Sequence, residues 1–128
     1  MPNFLGYQCS ICGAEYSPVE NQYDCKKCGG NLDVILDHVQ VKNRYQIEDI
    51  VSRLDYSLWR YLPLLPVVDP GGEGTPLRFA GWTPLYSPKK LSDEIGLSEF
   101  WIKDEGRNPT ASFKDRASAV VVARAREI

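Results

Sequence analysis

The sequence predicts an α/β chain in two parts. A small four-cysteine, metal-bound unit stands ahead of the first elements of a parallel-sheet domain. Three observations predict this. All four cysteines fall in two C-x-x-C pairs within the first thirty residues, Cys9/Cys12 and Cys25/Cys28. Strand-like and helix-like segments alternate after Thr83. A polar loop, Glu105–Ala111, then leads into a long helical run.

Composition sets the frame. The chain has 128 residues, 43% hydrophobic and 25% charged, with a formal net charge of −2. That balance suits a soluble globular domain and argues against a nucleic-acid binder relying on bulk positive charge. No apolar run approaches the length of a membrane span, and residues 1–6 lack a charged-then-apolar leader pattern. The expected compartment is the cytoplasm. Thiols stay reduced there, so closely paired cysteines read as metal ligands rather than disulfides.

The first zone, residues 1–37, reads as a zinc ribbon. Each C-x-x-C knuckle puts two thiolates on one tight turn, and Gly13, Gly29 and Gly30 follow the knuckles so that the chain can turn beneath the metal. Four sulfurs from Cys9, Cys12, Cys25 and Cys28 give a closed tetrahedral site, whose role is structural. Asn31–Asp37 reads as a strand closing the unit. So small a unit has little core, and structural zinc supplies on the order of 10 kcal/mol of apparent folding free energy. Two disulfides, or an iron centre on the same knuckles, are the competing readings. The sole histidine, His38, reads as an exposed residue at the zone boundary.

The second zone, 38–82, reads as a connector. Ile47, Ile50, Val51 and Leu54 fall on one face of an amphipathic helix. Asp55–Pro70 is apolar but broken by Pro63, Pro66 and Pro70, and is expected to pack over another surface without forming a regular element.

The third zone, 83–128, reads as βαβα. Thr83–Tyr86 is a strand, and Ser87-Pro88 starts a helix with Leu91 and Ile95 on one face and Gly96 at its end. Phe100–Asp104 is a second strand. Ser112 starts a long helix, with Asp115 three residues on completing a box-like cap. This order predicts βαβ units and a parallel sheet, and two such strands cannot finish an α/β domain alone. The last residues read as mid-helix, so the domain reads as truncated. Its remainder would come from the rest of the polypeptide or from a second chain. Gly71–Gly74 is a weak candidate anion nest.

Lys114 sits near the start of the long helix, where the macrodipole disfavours an ammonium, beside a loop at a strand's carboxyl end. A lysine kept partly deprotonated there suits imine chemistry. The alternative is a solvated lysine paired with Asp115 or a neighbouring acid, and position alone favours that alternative. Asn108, Thr110 and Ser112 add polar groups to the loop.

The string Asn108-Pro-Thr-Ala-Ser-Phe-Lys-Asp-Arg116 resembles the cofactor-lysine motif of threonine synthases, which are fold-type-II pyridoxal-phosphate enzymes. Phe100–Glu105 resembles the family's strand into the site, and residues 72–77 and 81–85 both resemble its glycine-threonine-proline-leucine signature. Some members also carry an N-terminal zinc ribbon.

The resemblance implies that Lys114 holds pyridoxal phosphate as an internal aldimine. Phe113 would pack on the pyridine ring, with Asn108, Thr110 and Ser112 shaping the loop. It further implies a carbon–oxygen lyase acting on phosphates, which takes O-phospho-L-homoserine and water to L-threonine and phosphate. The fragment alone is expected to be inactive, since no glycine-rich phosphate cradle follows Lys114. The pattern departs at Ala111, where many members have glycine. That change leaves the loop intact unless the position needs a positive φ. Another fold-type-II enzyme (a threonine dehydratase or a cysteate-synthase-like enzyme) and a non-catalytic zinc-ribbon interaction module are the alternatives.

Overall fold

The computed structural model describes residues 3–20, 22–71 and 75–128. The candidate nest at Gly71–Gly74 falls mostly outside them. No helix among the described residues is long and apolar enough to cross a membrane.

Three short antiparallel strands form the first unit: β1 (Phe4–Cys9), β2 (Glu15–Tyr16) and β3 (Leu32–Leu36), in the order β2-β1-β3. The strand expected over Asn31–Asp37 is β3, which pairs Tyr7 with Val34 and Cys9 with Leu32. Among the described residues the unit's buried cluster is small, Cys9, Ala14 and Cys25 with Tyr16 and Leu32 packed against them, and Phe4 is buried apart from it. So thin a core cannot hold a fold by apolar burial alone.

The connector opens with α1 (His38–Arg44), capped by the Asp37 carboxylate, which accepts from the Gln40 N–H at 2.8 Å. His38 is exposed, as expected. The expected amphipathic helix forms as α2 (Ile47–Val51), but it is shorter and its face is uncovered. Ile47 and Val51 are exposed, and Leu54 lies beyond the helix at 85% exposure. The reason is Arg60, buried to 2% exposure, whose guanidinium donates to the carbonyls of Ile50, Val51 and Arg53. These bonds satisfy the end of α2 and stop the helix before Leu54 can join its face.

The proline-broken stretch packs as the sequence suggests, but part of it is a regular 3₁₀ helix, which tolerates Pro63 near its end. A 3₁₀ turn over Leu58–Leu64 and the segment after it place Leu58, Trp59 and Val67 in the main apolar cluster with Ala80, Ala119 and Ala123. The Trp59 indole N–H donates to the Leu77 carbonyl at 2.8 Å, so its polar edge is also satisfied.

The last zone departs from expectation. β4 (Leu85–Tyr86) and β5 (Ile102–Lys103) pair antiparallel, not parallel, with Tyr86 opposite Ile102. The connection between them holds a real helix, α3 (Lys89–Ile95), but seven residues carry the chain only about 10 Å. Gly96, at φ 72°, then reverses it, and the Leu97 N–H closes the turn on the Ser92 carbonyl. The chain therefore returns to the end it left, as in a wide hairpin, rather than crossing over. Pro88, not Ser87, holds the cap position of α3. Leu91 and Ile95 stay exposed. The long helix is α4 (Lys114–Glu127), whose Ala119 and Ala123 reach the Trp59 cluster.

Candidate functional site

Two sites were expected; the four cysteines come together, and Lys114 stands beside Phe113 while Asn108 is turned into the interior. The Sγ atoms of Cys9, Cys12, Cys25 and Cys28 all lie within 4.8 Å of one another, with two pairs at 3.5 Å. A tetrahedron of sulfurs about 2.3 Å from a zinc ion has edges near 3.8 Å, so the four fit such an ion. Each knuckle closes on itself: the Gly13 N–H donates to the Cys9 carbonyl at 3.0 Å, and the Gly29 N–H to the Cys25 carbonyl at 2.7 Å. Both glycines have φ near +70°, the region that favours glycine. The Ile11 and Cys12 N–H groups point at Cys9 Sγ.

Tyr16 is a supporting residue that the sequence did not disclose. Its hydroxyl lies 3.2 Å from Cys25 Sγ and accepts from the Lys26 N–H at 2.9 Å, so its own proton is free for the sulfur. That bond holds the Cys25 thiol down at about 6. Cys28 shows the opposite. Although the Gly30 N–H favours its thiolate, Cys12 and Cys9 crowd it and push the thiol up to about 12. Four sulfurs this close cannot all carry charge without a cation between them.

The second site is the turn before α4. Lys114 is the first residue of the helix and is exposed, and its Nζ lies 5.5 Å from the centroid of the exposed Phe113 ring. The expected Ser112–Asp115 cap is replaced by a wider one. The Asp115 carboxylate accepts from the Thr110 N–H at 2.7 Å and the Thr110 hydroxyl at 2.5 Å, while Ser112 Oγ accepts from the Lys114 N–H at 3.2 Å. Asp115 is thus engaged with Thr110. The conditional doubt over Ala111 is realised, since its φ is +57°.

Asn108 is buried, and its amide is used internally. Oδ1 accepts from the Gly81 N–H at 2.9 Å, and Nδ2 donates to Glu105 Oε2 at 2.7 Å. Glu105 in turn receives two 2.8 Å bonds from Arg116 and one of 2.6 Å from the Thr83 hydroxyl. Hydrogen bonds from Arg116 chiefly, against the cost of burial, hold the Glu105 carboxyl at about 2. This four-residue lock joins Thr83, the 105–108 turn and the third residue of α4, and sequence reasoning missed it. Its only trace was two opposite charges flanking the loop.

The residues present would serve pyridoxal phosphate as one wall. An exposed amine stands beside an exposed aromatic ring on a tightly fixed turn. The cleft behind the turn, lined by Leu77, Ala80, Pro109, Thr110, Asp115 and Ala119, holds about 140 Å³. That is below the usual range for an enclosed ligand site.

Residues 77–128 match the family model described as pyridoxal-phosphate dependent enzyme. The likeness to that class therefore covers the segment from Leu77 through α4. Over 122 residues, 94% of this chain, the sequence is 43% identical to the threonine synthase of Methanosarcina acetivorans and 41% identical to that of Methanocaldococcus jannaschii. Over 78 residues it is 44% identical to the threonine synthase of Halalkalibacterium halodurans. The resemblance to threonine synthase thus runs from the cysteine unit through the lysine helix. The chain spans 28% and 29% of the length of the first two relatives. No solved structure gives a significant match.

Proposed function

We propose that this chain is the N-terminal portion of a threonine synthase, converting O-phospho-L-homoserine and water to L-threonine and phosphate once its α/β domain is completed. The carrying observation is the Lys114–Phe113 pair, held on a turn locked by Asn108, Glu105, Arg116 and Asp115 within a chain similar to threonine synthases over 94% of its length.

In this reading Lys114 Nζ would hold the cofactor and Phe113 would pack against its ring. Thr110 and Ser112 hold the turn's shape through their bonds to Asp115 and the Lys114 N–H. Asn108 positions the loop from below. Pyridoxal phosphate, when bound, supplies an electron sink. With its amine free, Lys114 Nζ would be placed to take and return protons at the substrate's carbons. No glycine lies between Lys114 and Ile128. In this reading a phosphate cradle is supplied by the remainder of the enzyme or by a second polypeptide, and the chain alone is expected to be inactive. We assign residues 1–37 to a structural zinc ribbon, 38–82 to a connector and 83–128 to the start of the catalytic domain.

The test is phosphate release. The chain is combined with a polypeptide made from the Methanosarcina acetivorans relative lacking its matching region, and assayed with O-phospho-L-homoserine. Release of phosphate with threonine, lost in Lys114→Ala, is expected. Deamination of threonine without phosphate release from O-phospho-L-homoserine would point to a dehydratase and overturn the assignment.

A further inference from the structure

We propose that the four-cysteine unit clamps helix α4, and that Arg124 is the residue through which it grips. Arg124 lies ten residues beyond Lys114 on the same helix, about 15 Å along its axis. Its Nη2 donates to the Pro18 carbonyl, 106 residues away in sequence, in the loop after β2. Its guanidinium stands 5.3 Å from the Phe4 ring centroid, and Tyr7 lines the same cleft as Arg124. Phe4 and Tyr7 pack edge to face at 5.1 Å.

Both aromatic residues lie on β1, the strand that ends in the ligand Cys9. The surface that Arg124 grips is therefore carried by the same strand that the metal holds. Glu127 completes the joint. Its Oε2 accepts from Arg124 Nη1 at 3.0 Å, and its Oε1 accepts from the Val68 N–H at 2.6 Å. The Arg124 and Glu127 side chains are only 11% and 12% exposed, so solvent screens the joint little. Ribbon, connector and α4 thus meet at one buried ion pair.

The consequence is a coupling. The cysteine unit has almost no core besides its ligands, so metal loss loosens β1. Loosening β1 withdraws Phe4, Tyr7 and Pro18 from Arg124 and frees the last turns of the helix that begins at Lys114. The coupling to metal rests on the zinc reading of the cysteine site, whereas the Arg124 joint stands independently of it.

Amide hydrogen exchange on the full chain tests both. In the zinc-loaded protein the amides of residues 119–127 are expected to be protected, and chelation to raise their exchange about tenfold together with that of β1. Arg124→Ala is expected to raise exchange over 119–127 by a similar factor while metal analysis still finds zinc and β1 stays protected. Arg124→Lys, which keeps the stem and the charge, tests the joint should the alanine variant fail to fold, and is expected to fall between. Chelation that frees β1 and leaves α4 unchanged would overturn the coupling. Either variant exchanging over α4 as the parent does would overturn the joint. Protein that binds no zinc would sink the metal reading alone, because the Arg124 variants still report on the clamp.

Discussion

Arg116 and Glu105 meet as a two-pronged ion pair, Nε to Oε2 and Nη2 to Oε1, each at 2.8 Å. One partner lies on the first turn of the lysine helix, and the other lies in the turn that leads to it. The pair therefore fixes how Lys114 leaves the loop. Arg116→Ala leaves the Glu105 carboxylate without its main partner and is expected to cost about 2 kcal/mol in denaturant unfolding. Arg116→Lys recovers only part of this, because an ammonium cannot reproduce the planar fork. An Arg116→Ala midpoint equal to the parent's would remove the lock from the description.

The same pair has a pH signature. Glu105 is held at about 2 in the folded chain, against an ordinary 4.5. A lowered carboxyl favours the ionised form on folding, so its contribution is complete above pH 4.5 and fades as pH falls from there through about 2. Acid titration of stability should show Glu105→Gln with a shallower loss than the parent over that window. Parallel curves would contradict it.

Ala111 adopts a φ of +57°, where a Cβ costs roughly 1–2 kcal/mol. Ala111→Gly should relieve that strain, less the entropy that glycine loses on folding. A net gain of about 1 kcal/mol in thermal or denaturant unfolding is expected. No gain would mean that the turn does not hold this conformation in solution.

Gly81 shows the reverse case. Its φ is +87°, and a Cβ there would sit 2.7 Å from the Leu58 backbone nitrogen and 3.1 Å from Arg116 Nη1. Gly81→Ala should destabilise by about 2 kcal/mol or more, through strain and overpacking together. A stable alanine variant in a melting experiment would refute the close approach.

At the cysteine site, Cys25→Ser should abolish zinc binding, with metal analysis falling from about one ion per chain to none. Tyr16→Phe keeps all four ligands and removes only the hydroxyl beside Cys25. It should retain zinc with roughly tenfold weaker affinity in a competition titration. Unchanged affinity would show that the hydroxyl does not support the site.

These features differ in how far the sequence disclosed them. The cysteine cluster was legible because its ligands come in local turns whose spacing alone brings the sulfurs together. Gly96 was legible as a helix end for the same local reason. The 55–70 stretch was expected to pack because it is apolar, and Trp59 and Val67 do, but the 3₁₀ helix over Leu58–Leu64, with Pro63 inside it, was not foreseen. What failed depended on contacts distant in sequence. Periodicity gave α2 its face, but Arg60 decides where that helix stops. Alternation gave two strands, but a short helix and the Gly96 turn decide that β4 and β5 run antiparallel. The lock around Lys114 joins Thr83, Glu105, Asn108 and Arg116, and no single window of sequence contains all four.

Absorption titration with pyridoxal phosphate tests most directly whether Lys114 is the attachment point of a threonine synthase-like site. The titration is made on this chain alone and on the chain combined with the complementary polypeptide. A visible band is expected in the combined sample, absent in Lys114→Ala and retained in Ala111→Gly. No band under either condition, or a band that survives Lys114→Ala, would contradict it.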